Sequence, residues 1–157
     1  ERRGCVRGEV HDENCHAGGG VAGHAGLFAR IADVVRFAQA TLALANGTDQ
    51  GRISSAVART FYETSAAPAT SWRLGWDTPS TTPGVSHAGD LWPRTGAIGH
   101  LGFTGTSIWL DLVKRRWAIL LSNRVHPTRV GERAAAIKDV RRDFADAVMA
   151  ALGCGHP

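Results

Sequence analysis

Three short apolar runs between residues 97 and 122 constrain this chain more than anything else in it. Residues 97–101, 106–112 and 117–122 each have strand composition, and four residues separate each run from the next. Connections that short join neighbours only in antiparallel fashion, because a parallel crossover takes about a dozen residues or more. An antiparallel sheet is therefore expected, with residues 113–116 (Val-Lys-Arg-Arg) as one turn. The third run is apolar almost throughout, so it is expected at the centre of the sheet, covered on both faces.

A helix over residues 131–152 is expected next. Ile137, Val140, Phe144, Val148 and Leu152 form its apolar stripe, Lys138, Asp139, Arg141, Arg142, Asp143 and Asp146 hold the other face, and Gly153 ends it. Laid on the sheet, it gives α+β layers. Upstream, residues 27–45 read as a helix with Ile31, Val34, Val35, Ala38, Leu42 and Ala45 on one side, stopped by Asn46-Gly47. A short helix over 56–63 follows, with Ser54-Ser55 as its cap, so that 27–63 is helical as a block. Residues 64–96 are rich in Pro, Ser, Thr and Gly and read as loop, with one short strand over 72–77. Trp72, Trp76 and Trp92 are expected to anchor that loop by packing rather than to form a ligand platform. Residues 1–26 read as a polar, glycine-rich loop, in which Gly18-Gly19-Gly20, Gly23 and Gly26 exclude a regular helix.

Composition narrows the function classes. With 43 % hydrophobic and 20 % charged residues, the 157-residue chain can bury a core. The net charge of +4 comes from arginines scattered along the sequence, which is a solvated basic surface rather than a nucleic-acid footprint. No apolar run reaches the ~18 residues of a membrane span. The three cysteines, Cys5, Cys15 and Cys154, fit neither a zinc ribbon nor a disulfide framework.

Several catalytic and ligand-binding arrangements can be weighed on residue chemistry. The run over 18–26 is not followed by Lys-Ser/Thr, so it is no phosphate loop. His11, Asp12, Cys15, His16 and His24 are metal-ligand types, but their spacing matches no zinc signature, and Asp12 and Asn14 are better explained as satisfying backbone groups of the loop. No metal or cofactor is expected. No Gly-x-Ser-x-Gly elbow occurs, and a Cys-His nucleophile pair is equally unsupported, although Cys15 beside His16 could in principle lower a thiol pKa. The stretch with most content is 99–107, Gly-His-Leu-Gly-Phe-Thr-Gly-Thr-Ser. It places a titratable side chain and three glycines where a strand begins, an arrangement that lets a ligand or another backbone approach closely.

Five blocks then carry a family resemblance. They are residues 10–14 (Val-His-Asp-Glu-Asn), 20–28 (Gly-Val-Ala-Gly-His-Ala-Gly-Leu-Phe), 74–77 (Leu-Gly-Trp-Asp), 99–107, and 120–127 (Leu-Leu-Ser-Asn-Arg-Val-His-Pro). In this order and spacing the chain resembles the C-terminal part of a serine β-lactamase-like hydrolase, of the branch that includes class C β-lactamases, esterases and penicillin-binding proteins. The resemblance covers residues 8–148. It implies an antiparallel sheet flanked by helices, of which 1–157 is the C-terminal portion of one domain. It also implies acyl-enzyme hydrolysis of a small-molecule ester or amide, in which a Ser-x-x-Lys serine attacks the carbonyl.

His100-Leu101-Gly102 matches the third motif of that family, Lys-Thr-Gly in β-lactamases and commonly His-x-Gly in the esterase-like branch. The resemblance thus assigns His100, Gly102 and the backbone N–H of Phe103 to catalysis, the last as an oxyanion donor. Asp12, Asn14 and His126 are placed at the cleft rim as substrate-binding residues. Histidine in place of lysine is a weaker, pH-dependent cation, which favours uncharged esters over carboxylate-bearing β-lactams.

The chain departs from the pattern in what it lacks. Asp111 and Ala135 stand three residues before Lys114 and Lys138, its only lysines, so there is no Ser-x-x-Lys; its one tyrosine, Tyr62, precedes Glu63 and Thr64 instead of an x-Asn pair. Leu112 stands where the family's turn carries Pro. The expectation is a C-terminal piece of a longer product, inactive alone, with an unpaired sheet edge that favours self-association. The rival is a non-catalytic binding or scaffold protein derived from a hydrolase half.

Overall fold

A computed structural model describes residues 4–68 and 70–153, with the backbone alone for residues 133 and 134. Cys154 lies outside the described residues. The three runs form an antiparallel sheet in the order β1 (Ala97–Leu101), β2 (Ser107–Asp111), β3 (Arg116–Leu120). Ile98 faces Leu110 and Leu110 faces Trp117; Gly99, Trp109 and Ala118 align in the next row, and His100, Ile108 and Ile119 in the row after it. Since side chains alternate between faces, the first and third of these rows share one face and the middle row lies on the other.

The α+β layering is as expected, but β2 is central among the described strands and β3 lies at the edge. The apolar content of β3 has another cause. Helices α2 (Ile31–Ala45) and α5 (Ile137–Ala151) each pack against it, so an edge strand is covered on both faces. One core joins Ile98, Leu110 and Ile119 to Ala38, Leu42 and Leu44 of α2 and to Ala58 and Tyr62 of α3 (Ser55–Glu63). The other joins Ala97, Trp109 and Ala118 to Met149 of α5 and to Ala88 and Trp92. The β2–β3 hairpin is fixed by Asp111, 2 % exposed, whose carboxylate accepts from the N–H groups of Val113 and Lys114 and pairs with Arg116 at 2.8 Å.

Helix α2 begins at Ile31 instead of residue 27, because Arg30 is extended and provides no side-chain cap. Its C-terminus follows the glycine-stop expectation. Gly47 has φ +87°, its N–H reaches the Leu44 carbonyl at 3.1 Å, and the Thr48 N–H reaches that of Ala43 at 2.9 Å. Ser54 caps α3 by accepting from the Val57 N–H.

The helix expected over 131–152 is instead two, α4 (Glu132–Ala135) and α5, with Ala136 between them. The buried stripe of α5 is Ile137, Arg141, Ala145 and Met149, while Val140 and Leu152 are about half exposed. The helix is thus rotated from the expected stripe, and two residues assigned to its solvent face turn inward. Arg141 reaches the turn after β1. Asp146 accepts from the Leu91 N–H at 2.8 Å and ties the loop before the sheet to the helix.

Residues 72–77 do not form a strand. They contribute isolated bridges, of which Asp77 with Gly99 is double-bonded at 2.8 and 2.9 Å along the outer edge of β1. Trp92 is buried and Trp76 packs on the first core, as anchors do, but Trp72 is 44 % exposed and belongs to neither core cluster. Within residues 1–26 a short helix, α1 (Glu13–Ala17), forms after all. It precedes the glycines, and Asp12 caps it by accepting from the Cys15 N–H at 2.7 Å.

Candidate functional site

The geometry around residues 99–107 follows from what each glycine admits. A Cβ on Gly99 would lie 2.1 Å from the Trp109 indole, so the absence of a side chain lets that ring cross the strand. A Cβ on Gly102 would lie 2.1 Å from the Thr106 hydroxyl. The chain can therefore close a tight turn there, in which Gly102 N–H donates to the Thr106 carbonyl at 2.8 Å and Gly105 N–H to the Gly102 carbonyl at 3.0 Å. Gly105 has φ +111°, open to glycine and strained for other residues.

Every carbonyl of this turn is occupied. Arg141 donates to the carbonyls of Gly102 at 2.6 Å, Thr106 at 2.9 Å and Gly105 at 3.2 Å. The Phe103 carbonyl accepts from Arg124 Nε at 2.6 Å, and the Thr104 carbonyl from the Arg124 backbone N–H at 2.9 Å. Among the described residues nothing accepts from the Phe103 N–H. The turn thus presents a free backbone donor while two guanidiniums hold its carbonyls. A cavity of about 300 Å³ opens beside it, lined by Gly102, Phe103, His87, Arg124, Lys138 and Arg141 among others. Burial and the nearby Arg141 and Lys138 hold the His87 pKa below the usual histidine value, which favours the neutral ring in this cationic wall. Burial and the neighbouring Arg124 likewise lower that of Arg141.

His100 stands exposed at the end of β1 on the α2 face. Its Nδ1 lies 3.0 Å from the Leu101 carbonyl. A carbonyl only accepts, so Nδ1 is the donor in this contact. Trp72 meets the imidazole edge to face, with ring centres 5.6 Å apart.

The N-terminal segment comes to the same turn. His11 stacks on Phe103 at 5.8 Å with 16° between the rings, and the Arg124 guanidinium lies 4.5 Å from the centre of the Phe103 ring. Next to His11, Asp12 is 3.0 Å from His24 Nε2. The Cys15 N–H, and secondarily His24, hold the Asp12 carboxyl below its ordinary value. The side chains of Asn14 and His126 are exposed and make no hydrogen bond among the described residues. Of the six residues assigned from sequence, Gly102 and Phe103 share the turn, His100 precedes it on β1, and Asp12 adjoins His11, which stacks on it.

The metal-ligand types of the N-terminal segment go to other partners. Cys15 Sγ donates to the Ala25 carbonyl at 3.2 Å and His16 faces Glu9 at 3.7 Å. No group of three or more His, Cys, Asp or Glu that could hold a metal is found among the described residues. None of the described helices is long and apolar enough to cross a membrane. Arg124, Arg141 and Trp72 escaped sequence reasoning as site residues. The signal for Arg141 was a stripe of strict four-residue spacing, Ile137-Arg141-Ala145-Met149, in which one polar member hides the period.

Comparison with known proteins bears on what this turn belongs to. The chain is 34 % identical over 129 residues to a protein of Escherichia coli K12 named "Putative D-alanyl-D-alanine carboxypeptidase", covering 80 % of this chain and 29 % of that protein. Proteins of the same name from Escherichia coli O157:H7 (35 % over 123 residues, 76 % of this chain and 27 % of the relative) and Salmonella agona (35 % over 135 residues, 80 % and 29 %) are similarly related. The chain spans less than a third of the length of these relatives. No solved structure matches significantly. The family model described as Beta-lactamase matches residues 2–142, a span that takes in the glycine turn, both arginines that hold it and the His11 segment stacked on it, and the chain accordingly belongs to the β-lactamase family.

Proposed function

We propose that residues 1–157 supply one wall of an acyl-transfer site that hydrolyses an ester or amide through a covalent acyl-enzyme. The observation that carries this reading is the Phe103 N–H, left without an acceptor in a turn whose carbonyls are all engaged. A fixed backbone donor of this kind stabilises the oxyanion of a tetrahedral intermediate without reorganising, an effect of about 3–4 kcal/mol. In this reading His100 takes or gives a proton at the leaving group. Asp12, Asn14 and His126 line the rim. The nucleophile comes from a Ser-x-x-Lys motif outside residues 1–157, so these residues alone do not turn over substrate. The β1 and β3 edges, among the described residues paired only at Asp77 or not at all, then receive the nucleophile-bearing part. In its absence they favour association of one copy with another. The relatives' name directs the amide case to peptides ending in D-alanyl-D-alanine.

The test uses the full product of the reading frame, assayed with an activated ester, a D-alanyl-D-alanine peptide and a fluorophosphonate that labels nucleophilic serine. Hydrolysis with one labelled serine followed by lysine at the third position supports the reading, and His100→Ala is then expected to lower kcat/KM roughly 100-fold. No labelling and no hydrolysis would overturn it in favour of a non-catalytic binding or scaffold protein.

A further inference from the structure

A buried arginine usually has a carboxylate partner, since desolvating a lone guanidinium is costly. Arg141 is 6 % exposed, and every hydrogen bond described for it goes to a backbone carbonyl: Gly102, Gly105 and Thr106. These three belong to one turn, and two of them already accept the bonds that close it. A planar guanidinium with a fixed fork of donors can bind several carbonyls at set angles, which an ammonium cannot do. Between the first two of these carbonyls lie Phe103 and Thr104, so the peptide that carries the Phe103 N–H starts at the Gly102 carbonyl that Arg141 holds.

Resting on the acyl-transfer reading above, we infer that Arg141 is a positioning residue for the oxyanion donor: by gathering the Gly102, Gly105 and Thr106 carbonyls on the α5 side of the turn, it fixes the direction of the Phe103 N–H. Two consequences separate this role from simple support of the fold. Carbonyl oxygens free to rotate would bring negative partial charge toward a developing oxyanion, so loss of Arg141 acts on the transition state more than on substrate binding. Lysine can fill much of the space but not hold three acceptors, so Arg141→Lys repairs stability better than it repairs turnover.

The experiment uses the full-length protein as wild type, Arg141→Lys, Arg141→Met and the control Arg142→Met, which removes a neighbouring charge that pairs with Asp139 and Asp143. Amide exchange by mass spectrometry is read on the segment 99–107 and on the α5 segment, and kcat and KM are read on the activated ester. In Arg141→Lys the 99–107 amides are expected to exchange roughly tenfold faster with α5 little changed, and kcat to fall roughly 100-fold with KM within about twofold. Arg142→Met leaves both as in wild type.

Unchanged exchange in 99–107 would overturn the inference whether or not the protein is active. Faster exchange with unchanged kcat, or a loss confined to KM, would reduce Arg141 to a structural prop and overturn it as well. If wild type is inactive while exchange in 99–107 responds as described, the acyl-transfer reading fails and the control of this turn by Arg141 stands. Should Arg141→Met not fold, Arg141→Lys carries the test alone.

Discussion

The turn after β1 and the stretch 18–26 are both glycine-rich, and their glycines serve opposite ends. In the turn and the strand leading into it each missing Cβ is replaced by something specific: the Trp109 ring at Gly99, the Thr106 hydroxyl at Gly102, the Ser122 hydroxyl at Gly105. In the N-terminal stretch Gly19, Gly20 and Gly23 have no other atom within 4 Å of where a Cβ would stand, and only Gly26 is crowded, against the Gly20 carbonyl and Cys15 Sγ. The apolar neighbours differ in the same way. Ile98 and Trp109 are buried, whereas Val21 and Leu27 are more than four-fifths exposed. Glycine content alone therefore does not mark a site, and what fills the vacated space does.

The sharpest way to break this comparison is to add a methyl group in each region. Gly99→Ala drives a Cβ into the Trp109 indole and to within 2.6 Å of the Ile108 carbonyl, both on the central strand. It is expected to destabilise the full-length protein by about 3 kcal/mol. Gly23 has neither a neighbour within 4 Å nor a positive φ. Gly23→Ala is expected to stabilise by roughly 0.5 kcal/mol, because the substitution restricts the unfolded chain at no cost in the folded one. Urea unfolding of the two variants reads the signs directly, and a shared sign would refute the distinction.

Which parts of this arrangement were legible in sequence follows the same division. The strands and their antiparallel order were readable because period and connection length leave few alternatives, and β1 coincides with the expected run. The Gly47 stop and the Ser54 cap were readable because each is a local rule of backbone chemistry. The family motif pointed to the stretch 99–107, whose glycines do close a turn after β1. Arg141 was not legible, since a buried arginine looks like a solvent residue until the carbonyls it serves are in place 35 to 39 residues away in sequence. The short helix α1 was hidden for the converse reason, its cap Asp12 lying inside a segment whose later glycines dominate the composition. The place of β3 at the edge was missed because covering helices, rather than neighbouring strands, account for its apolar residues.

A smaller effect separates the cysteines of the N-terminal region. Cys5 is exposed, while Cys15 is 1 % exposed and its thiol donates to the Ala25 carbonyl. Despite its open glycines, the segment thus has one closed point, where α1 folds back on the bridge between Ala22 and Ala25. Alkylation of native protein, read by peptide mass spectrometry, is expected to modify Cys5 on the order of 100-fold faster than Cys15, the ratio reporting how often that point opens. Equal rates would show the whole segment to be loose.

The smallest effect is a local one, and it sets the two regions apart by how they are fastened. Asp12 holds α1 through the Cys15 N–H and also pairs with His24. These bonds hold its carboxyl below the ordinary 3.8. A carboxyl depressed in the folded state contributes fully above its unfolded value, and its contribution is lost as pH falls through the lower folded one. The turn after β1 is fastened instead by guanidiniums, which do not titrate in acid. Acidification below 3.8 is therefore expected to release the Cys15 amide, seen as a change in its NMR shift and faster exchange, while the Gly102 and Gly105 amides stay protected until global unfolding. Asp12→Asn keeps a capping oxygen and removes the titration, so its Cys15 amide is expected to show no such step. A wild-type step at or above 3.8 would show that these bonds do not depress the Asp12 carboxyl, and simultaneous loss of the Gly102 and Gly105 amides would mean that both regions hang on the same carboxylate and that the turn is not held by its arginines alone.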